Sequence, residues 1–434
     1  MKFNLTRIPG FGGNAIWSAL DAAAAPMSGL LMAAGLVRIL GTQEYGVIVM
    51  ALAVSNLSLA VSPAISATTI RFVAAAASDR TSAKLAHVMT ASLLVIMAID
   101  LFLLLVATCF NSALAGAIFG TRVSGSEPQL GAILLLAVGA VCIQQIDGVC
   151  AAVLKGLEQF KRQSLVEVLS RATLVVSTVA AASLSHDVRV VLTVYCAVCM
   201  LFVAVRLVAL RLTVGKARLF GLPARSDLTR LLHFGGWMWL NAAATVAFGT
   251  VDRIAVGRVS GPAVAAEYNI YMQLTQLIHF IPASLFAFSF PMFSRLGADQ
   301  QANMPTIRTL YHRYFKAAAI IGASLGLLLL IFKPVILSAF GKSIAHEPHD
   351  AAFAVLVVSF VMLSFMILPY WLGLGLDRAR SVSLITSTSM FVAVVLTVLL
   401  TPSLGIEGAV IGKLIYALGA LALVFQASRI LRKP

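Results

Sequence analysis

The Lys and Arg residues of this chain cluster in alternate gaps between apolar stretches, and that regularity leaves few folds open. About twelve stretches follow one another, near 15–37, 45–67, 86–110, 130–154, 164–184, 189–211, 232–252, 266–290, 314–338, 351–373, 381–401 and 405–427. Each reaches the roughly 20 residues a helix needs to cross a bilayer. With the N-terminus placed in the cytoplasm, the inner segments hold 24 of the 32 basic residues and the outer segments 8. Acids divide as 6 inside, 8 outside and 3 within the spans, so the inner side carries +18 and the outer side 0. Cytoplasmic loops of membrane proteins collect Lys and Arg in this way. The expected architecture is an all-α polytopic membrane protein with both termini cytoplasmic.

Composition agrees. Of 434 residues, 60% are hydrophobic and 11% charged, with mean hydropathy +0.96. Soluble domains carry about 25% charged residues, so a soluble enzyme is excluded. The net charge of +15 comes from topology and headgroup anchoring to anionic membrane lipids, and no nucleic-acid partner is expected. The first apolar stretch is longer than a signal-peptide core and contains Asp21, so it is expected to remain. The five cysteines all fall in spans, with no zinc spacing and no disulfide framework, and are expected to act as small apolar residues.

The chain reads as a duplication. Arg38-Ile39-Leu40-Gly41 leads to Tyr45, with Arg71 26 residues later; Arg258-Val259-Ser260-Gly261 leads to Tyr268, with Arg295 27 residues later. Gly156-Leu157-Glu158 and Gly375-Leu376-Asp377 each open a basic loop. A basic connection with Gly221 and Pro223, near 212–231, falls at the midpoint. Two six-helix lobes, 1–215 and 216–434, are therefore expected. An even number of spans per lobe implies a pseudo-twofold axis along the membrane normal, as in parallel-repeat transporters.

Several of these residues resemble a known family. Arg38 to Gly46 is similar to the first periplasmic turn of Wzx-type oligosaccharide flippases, a branch of the multidrug/oligosaccharidyl-lipid/polysaccharide exporter superfamily. The match is stronger from Trp237 to Leu296, through Asn241, Val251-Asp252-Arg253-Ile254-Ala255-Val256-Gly257, Ala265-Ala266-Glu267-Tyr268 and Phe290-Pro291-Met292-Phe293-Ser294-Arg295. Gly405-Ile406-Glu407-Gly408-Ala409-Val410 also fits. The resemblance implies transfer of an undecaprenyl-pyrophosphate-linked oligosaccharide across the bacterial inner membrane by alternating access of two lobes. It further implies a proton or sodium gradient instead of a cofactor, and work beside a polysaccharide polymerase and a chain-length regulator. Many members have fourteen spans, where twelve are counted here.

Polar groups within the spans are the candidates for mechanism, since a charge at the bilayer centre costs about 2.5–3.5 kcal/mol on insertion scales. Asp21 lies about one turn before Pro26, where a proline-permitted bend could respond to an ion bound by the carboxylate. A solvated interfacial position is the alternative. Asp147 follows Gln144 and Gln145, and residues 144 and 147 share a helix face, either lining a cavity or bonding a neighbouring helix. Asp100 stands alone among apolar residues. Asn241, Gln273 and Gln276 offer amides suited to sugar hydroxyls, and His279 could titrate or be structural. Arg38 and Arg258 could meet an anionic glycan or pyrophosphate at the periplasmic side. Arg71 and Arg295 could receive pyrophosphate at the cytoplasmic side, or anchor headgroups. Asp252 and Arg253 are read as an ion pair that gates the two lobes.

Two rival functions share these features. A multidrug or cation antiporter of the same superfamily would have a more apolar cavity. A membrane polymerase or glycosyltransferase would place its chemistry on a sizeable loop. The largest outer loop, 339–350, offers only His346, Glu347, His349 and Asp350 as metal ligands, and no metal site is expected. There is no Gly-rich phosphate loop with a Lys, which argues against direct ATP hydrolysis.

Overall fold

The computed structural model describes residues 11–56, 62–78, 82–119, 127–215, 219–223, 225–297, 299–341 and 349–432; side chains of 11–25, 225–228, 230–241 and a few others lie outside the description. Every regular element among the described residues is an α-helix. In chain order these are α1 (Phe11–Asn56), α2 (Ser62–Ser78), α3 (Ser82–Cys109), α4 (Asn111–Phe119), α5 (Glu127–Gly156), α6 (Phe160–Ser185), α7 (Val188–Val214) and α8 (Arg225–Ser260). They continue with α9 (Pro262–Leu285), α10 (Ser289–Gly297), α11 (Gln300–Ile331), α12 (Lys333–Ser338), α13 (Asp350–Ser364), α14 (Ile367–Gly375), α15 (Ala379–Leu404), α16 (Ile406–Ala420) and α17 (Ala422–Arg432). Taking α1 as two helices joined at Gly41, and pairing the second of them with α2, α9 with α10, α13 with α14 and α16 with α17, gives twelve crossings at the expected places. Nine segments among the described residues are long and apolar enough to span by composition alone. α9 carries Glu267, Asn269, Gln273, Gln276 and His279, which lower its apolar character.

The chain forms two compact units, Met1–Thr250 and Val251–Pro434, divided inside α8. In the first, α5 packs against α2, α3 and α7, and α6 against α1 and α7. In the second, α16 packs along α15 and α13, and α9 against α13 and α11. Leu101, Phe102, Val176 and Leu184 are exposed in the first, and Ile320, Phe391 and Leu399 in the second. Large apolar side chains face outward where lipid replaces water.

The repeated sequence landmarks adopt repeated conformations. Gly41 has φ 84°, ψ 171° and Gly261 has φ 97°, ψ 167°, a backbone region essentially restricted to glycine. The tyrosines that follow, Tyr45 and Tyr268, are both buried. Glu158 and Asp377 both take left-handed φ, 58° and 56°. Each closes the preceding helix with the same bonds: Gln159 N–H donates to Leu154 O at 2.9 Å, and Arg378 N–H to Gly373 O at 2.8 Å. This is a Schellman-type stop.

Small residues set helix separation where lipid offers no hydrophobic drive. A Cβ on Gly408 would sit 2.6 Å from the Leu400 carbonyl carbon and the Thr401 nitrogen, and one on Gly412 would sit 2.0 Å from Thr397 Oγ1. The α15–α16 contact is therefore backbone against backbone. Gly322 and Gly326 instead make room for the Ser364 and Val361 side chains of α13.

Three charges assigned to loops lie in helices instead. Arg206, counted with the cytoplasmic set, is fully buried in α7; Arg171 is half-buried in α6; Lys413, counted as outer, is 2% exposed within α16. Charge counting misplaces them because each has an acidic partner on a neighbouring turn or helix: Asp147 and Glu167 for Arg206, Glu167 for Arg171 and Asp252 for Lys413.

Candidate functional site

In the first unit, three polar stripes converge. Gln144 and Asp147 lie one turn apart on α5. Gln163, Glu167 and Arg171 repeat every four residues on α6. Tyr195, Cys199, Phe202 and Arg206 run down α7 at spacings of three and four. Such spacings stack side chains on one helix face, and the packing of α5 and α6 on α7 turns the three faces together.

Arg206 is the hub. Its Nη1 donates to Gln163 Oε1 at 2.7 Å, its Nη2 to Glu167 Oε2 at 3.0 Å, and its Nε lies 2.8 Å from Asp147 Oδ1. Arg171 Nε binds the other Glu167 oxygen at 2.9 Å. The Arg206–Asp147 contact is close but misaligned, and neither atom makes a hydrogen bond there. Arg206 is sealed from solvent, whereas the side chains of Asp147 and Glu167 are 22% and 16% exposed. Both carboxylates border a cavity of about 40 Å³ with Gln144, Ser170, Arg171 and Tyr195. That exceeds the ~10–15 Å³ needed for one water. Gln144 Nε2 donates to Tyr195 Oη at 3.0 Å. Two acids and two guanidiniums make the cluster neutral overall, with Asp147 the least firmly held member.

The adjacent Gln145 does not join them, a correction to the sequence reading. One residue along a helix turns the side chain about 100°, and Gln145 points to α3, where its Nε2 donates to Asp100 Oδ1 at 2.7 Å. Gln145 is fully buried and Asp100 4% exposed, so the pair ties α3 to α5 away from the Arg206 cluster.

In the second unit, Asp252 does not pair with Arg253. Its Oδ2 lies 2.9 Å from Lys413 Nζ and accepts from Tyr268 Oη at 2.7 Å, while Oδ1 accepts from the Arg253 backbone N–H at 2.9 Å. Adjacent helical side chains diverge by about 100°, so Arg253 cannot reach round to its neighbour, while α16 supplies a cation directly. The interlobe ion pair expected from the sequence is instead a buried tie of α8, α9 and α16 within one unit. Beside it, buried Glu267 binds His349 Nδ1 at 3.0 Å.

The remaining candidates are scattered. Gln273 and Gln276 are half-buried on α9; Gln273 Oε1 and His279 Nδ1 are enclosed with no protein hydrogen bond. Arg38, Arg258 and Arg295 are exposed near helix ends or the Gly41 break, and Arg71 is exposed in the middle of α2. Asp21 lies on α1 and Asn241 on α8, but their side chains lie outside the described residues, as do His346 and Glu347. Among the described residues no group of three or more His, Cys, Asp or Glu is arranged for a metal. Sequence reasoning missed Gln163, Glu167, Arg171 and Arg206 as site residues. The four-residue spacing of the first three on one helix was the available signal.

Comparison with curated proteins finds no match. Among solved structures the fold is similar to an inward-facing multidrug resistance MATE family transporter of the MOP superfamily, with TM-score 0.74 and 17% identity over 95% of this chain and 98% of that one. An outward-facing MATE transporter gives 0.63 and 15%, covering 96% and 95%. A MOP superfamily transporter from Pyrococcus furiosus, described as having a binding pocket of reverse polarity, gives 0.61 and 14%, again covering 96% and 95%. These likenesses establish the fold: twelve helices in two lobes. A family model described as polysaccharide biosynthesis protein matches residues 11–297, about two thirds of the chain. The chain is a multi-pass membrane protein that belongs to the polysaccharide biosynthesis protein family.

Proposed function

We propose that the protein moves lipid-linked oligosaccharide units, carried on undecaprenyl pyrophosphate, across the bacterial inner membrane for surface polysaccharide assembly. The observation that carries this reading is the family match over residues 11–297. It supports a polysaccharide-pathway role over drug export by transporters that share the fold. Transport is the protein's work, with no bond made or broken and no cofactor needed beyond a proton or sodium gradient. Both termini lie in the cytoplasm, and a polymerase and a chain-length regulator act on the delivered units.

The Asp147–Glu167–Arg206 cluster supplies a means of coupling. A proton or sodium ion reaching the small cavity competes with Arg206 for Asp147, whose contact is the misaligned one. Binding frees one arm of a guanidinium that holds α5, α6 and α7 together, so ion occupancy changes how these helices are tied. Asp21, near Pro26, is a second ion-responsive position on α1. The enclosed acceptors of Gln273 and His279 suit hydrogen bonding to a polyhydroxyl solute, with Gln276 on the same helix; Asn241, in the first unit, is a separate candidate for the glycan. Arg38 and Arg258 serve the glycan or pyrophosphate at the outer side, and Arg71 and Arg295 the pyrophosphate at the inner side.

The test is a deletion strain. Complete undecaprenyl-pyrophosphate oligosaccharide accumulating on the cytoplasmic side, with surface polysaccharide lost and both restored by the intact gene, is the expected result. Normal surface polysaccharide with heightened sensitivity to cationic dyes would replace this reading with the antiporter, which the MATE-like fold favours.

A further inference from the structure

We propose that the second unit binds a phosphate ester carrying a nearby hydroxyl, the chemistry of a phosphoglycerol headgroup, in a pocket between α11, α15 and α17. The pocket has a volume of about 200 Å³ and is lined by Gln300, Arg378, Gln426, Arg429 and Ile430. Its lining contains two guanidiniums and no carboxylate. Among the described residues neither Arg378 nor Arg429 forms an ion pair with the protein.

The walls are built by three elements. Arg378 is the N-cap of α15 and makes no side-chain cap bond, so its guanidinium is not spent on the helix end. Gln300 is the first residue of α11. Gln426, Arg429 and Ile430 are spaced by three and four on α17, so one face of that helix closes the pocket. Two contacts pin α17 in place: the Gln426 amide donates to Ser381 Oγ in the first turn of α15, and the Arg308 guanidinium to the Leu431 carbonyl.

These features select the ligand. Forked guanidiniums favour phosphate oxygens. Gln426 Nε2 is spent on Ser381, which leaves its Oε1 enclosed without a donor. A hydroxyl beside the phosphate supplies one. The outer side of α17 presents Phe425, 70% exposed, an apolar side chain placed for the acyl region next to a headgroup. A bilayer lipid and a soluble phosphate ester share this chemistry, and the experiment separates them.

Full-length protein in neutral detergent is titrated with phosphatidylglycerol, phosphatidylethanolamine, sn-glycerol 3-phosphate and inorganic phosphate. Binding is read by native mass spectrometry and by thermal stability. Phosphatidylglycerol is expected to bind preferentially. The variant R378Q/R429Q is expected to lose that preference by roughly tenfold, as for removal of charge-assisted bonds. R380Q/R432Q, which removes two exposed arginines outside the pocket, should retain it. R378K and R429K keep the charge but lose the fork, and serve if the double variant does not fold. They should weaken phosphatidylglycerol binding at unchanged folding. Stabilisation by glycerol phosphate with no lipid preference would support the pocket and assign it a soluble ligand. Equal loss in R378Q/R429Q and R380Q/R432Q, or undiminished binding by R378K and R429K, would overturn the proposal.

Discussion

Replacing Lys413 with Met tests the buried tie of the second unit. Asp252 and Lys413 are each 2% exposed, with Nζ 2.9 Å from Oδ2. Without Lys413 the Asp252 carboxylate keeps only the Tyr268 hydroxyl and the Arg253 backbone N–H, two neutral donors for a charge that water cannot reach. Breaking such a pair from one side costs about 3–5 kcal/mol. Met preserves the length and bulk of the Lys stem, so little of the loss comes from a cavity. Adding Asp252→Asn removes the orphaned charge while leaving an oxygen to accept from Tyr268. Because removing both charges of a buried pair is often neutral or stabilising, the double variant should recover most of the loss. Reversible unfolding in mixed micelles would give the three free energies and a coupling of about 3 kcal/mol. If Lys413→Met and the double variant were equally unstable, the unpaired charge would not be the cause, and the tie would have to be abandoned as a stabilising element.

Other variants probe different parts of the molecule. Arg206→Met leaves Asp147 without its counter-charge and Glu167 with Arg171 alone, and should cost about 3–5 kcal/mol; Arg206→Lys, lacking the fork, should fall between it and the wild type in a melting assay. Asp147→Asn should leave folding nearly unchanged but abolish the dependence of glycan export on the ion gradient, and gradient-dependent export at the normal rate would remove Asp147 from coupling. Gly41→Ala and Gly261→Ala should each lose about 1–3 kcal/mol from backbone strain alone, because a Cβ at either site meets nothing within 4 Å. Gly139→Ala, equally open but at ordinary helical φ, should gain about 0.5–1 kcal/mol. Gly408→Ala must push α15 from α16 and should cost about 1–3 kcal/mol, with a lowered midpoint in the same unfolding experiment.

The candidate site was half legible in sequence. Gln144 and Asp147 were paired correctly because their spacing places them on one face of α5 whatever α5 packs against. Gln145 was grouped with them by adjacency, although helical rotation sends it to Asp100. The same error made a pair of Asp252 and Arg253, when the cation for Asp252 comes from Lys413, 161 residues away in the chain. Arg206 was taken for a cytoplasmic charge, since nothing local distinguishes a buried Arg with distant acidic partners from a solvated one.

Segment by segment, apolar length, loop charge and repeated turns determined the class, the number of crossings and the duplication, down to matching glycine conformations at residues 41 and 261. Those properties are set within a few residues by the bilayer's demand for internally bonded helices and by backbone sterics. Which polar residues meet was decided only by tertiary packing. The partners of Arg206 come from two other helices and those of Asp252 from α9 and α16, and a side chain's neighbour across a helix interface depends on the rotation and depth of both helices, which no local pattern encodes.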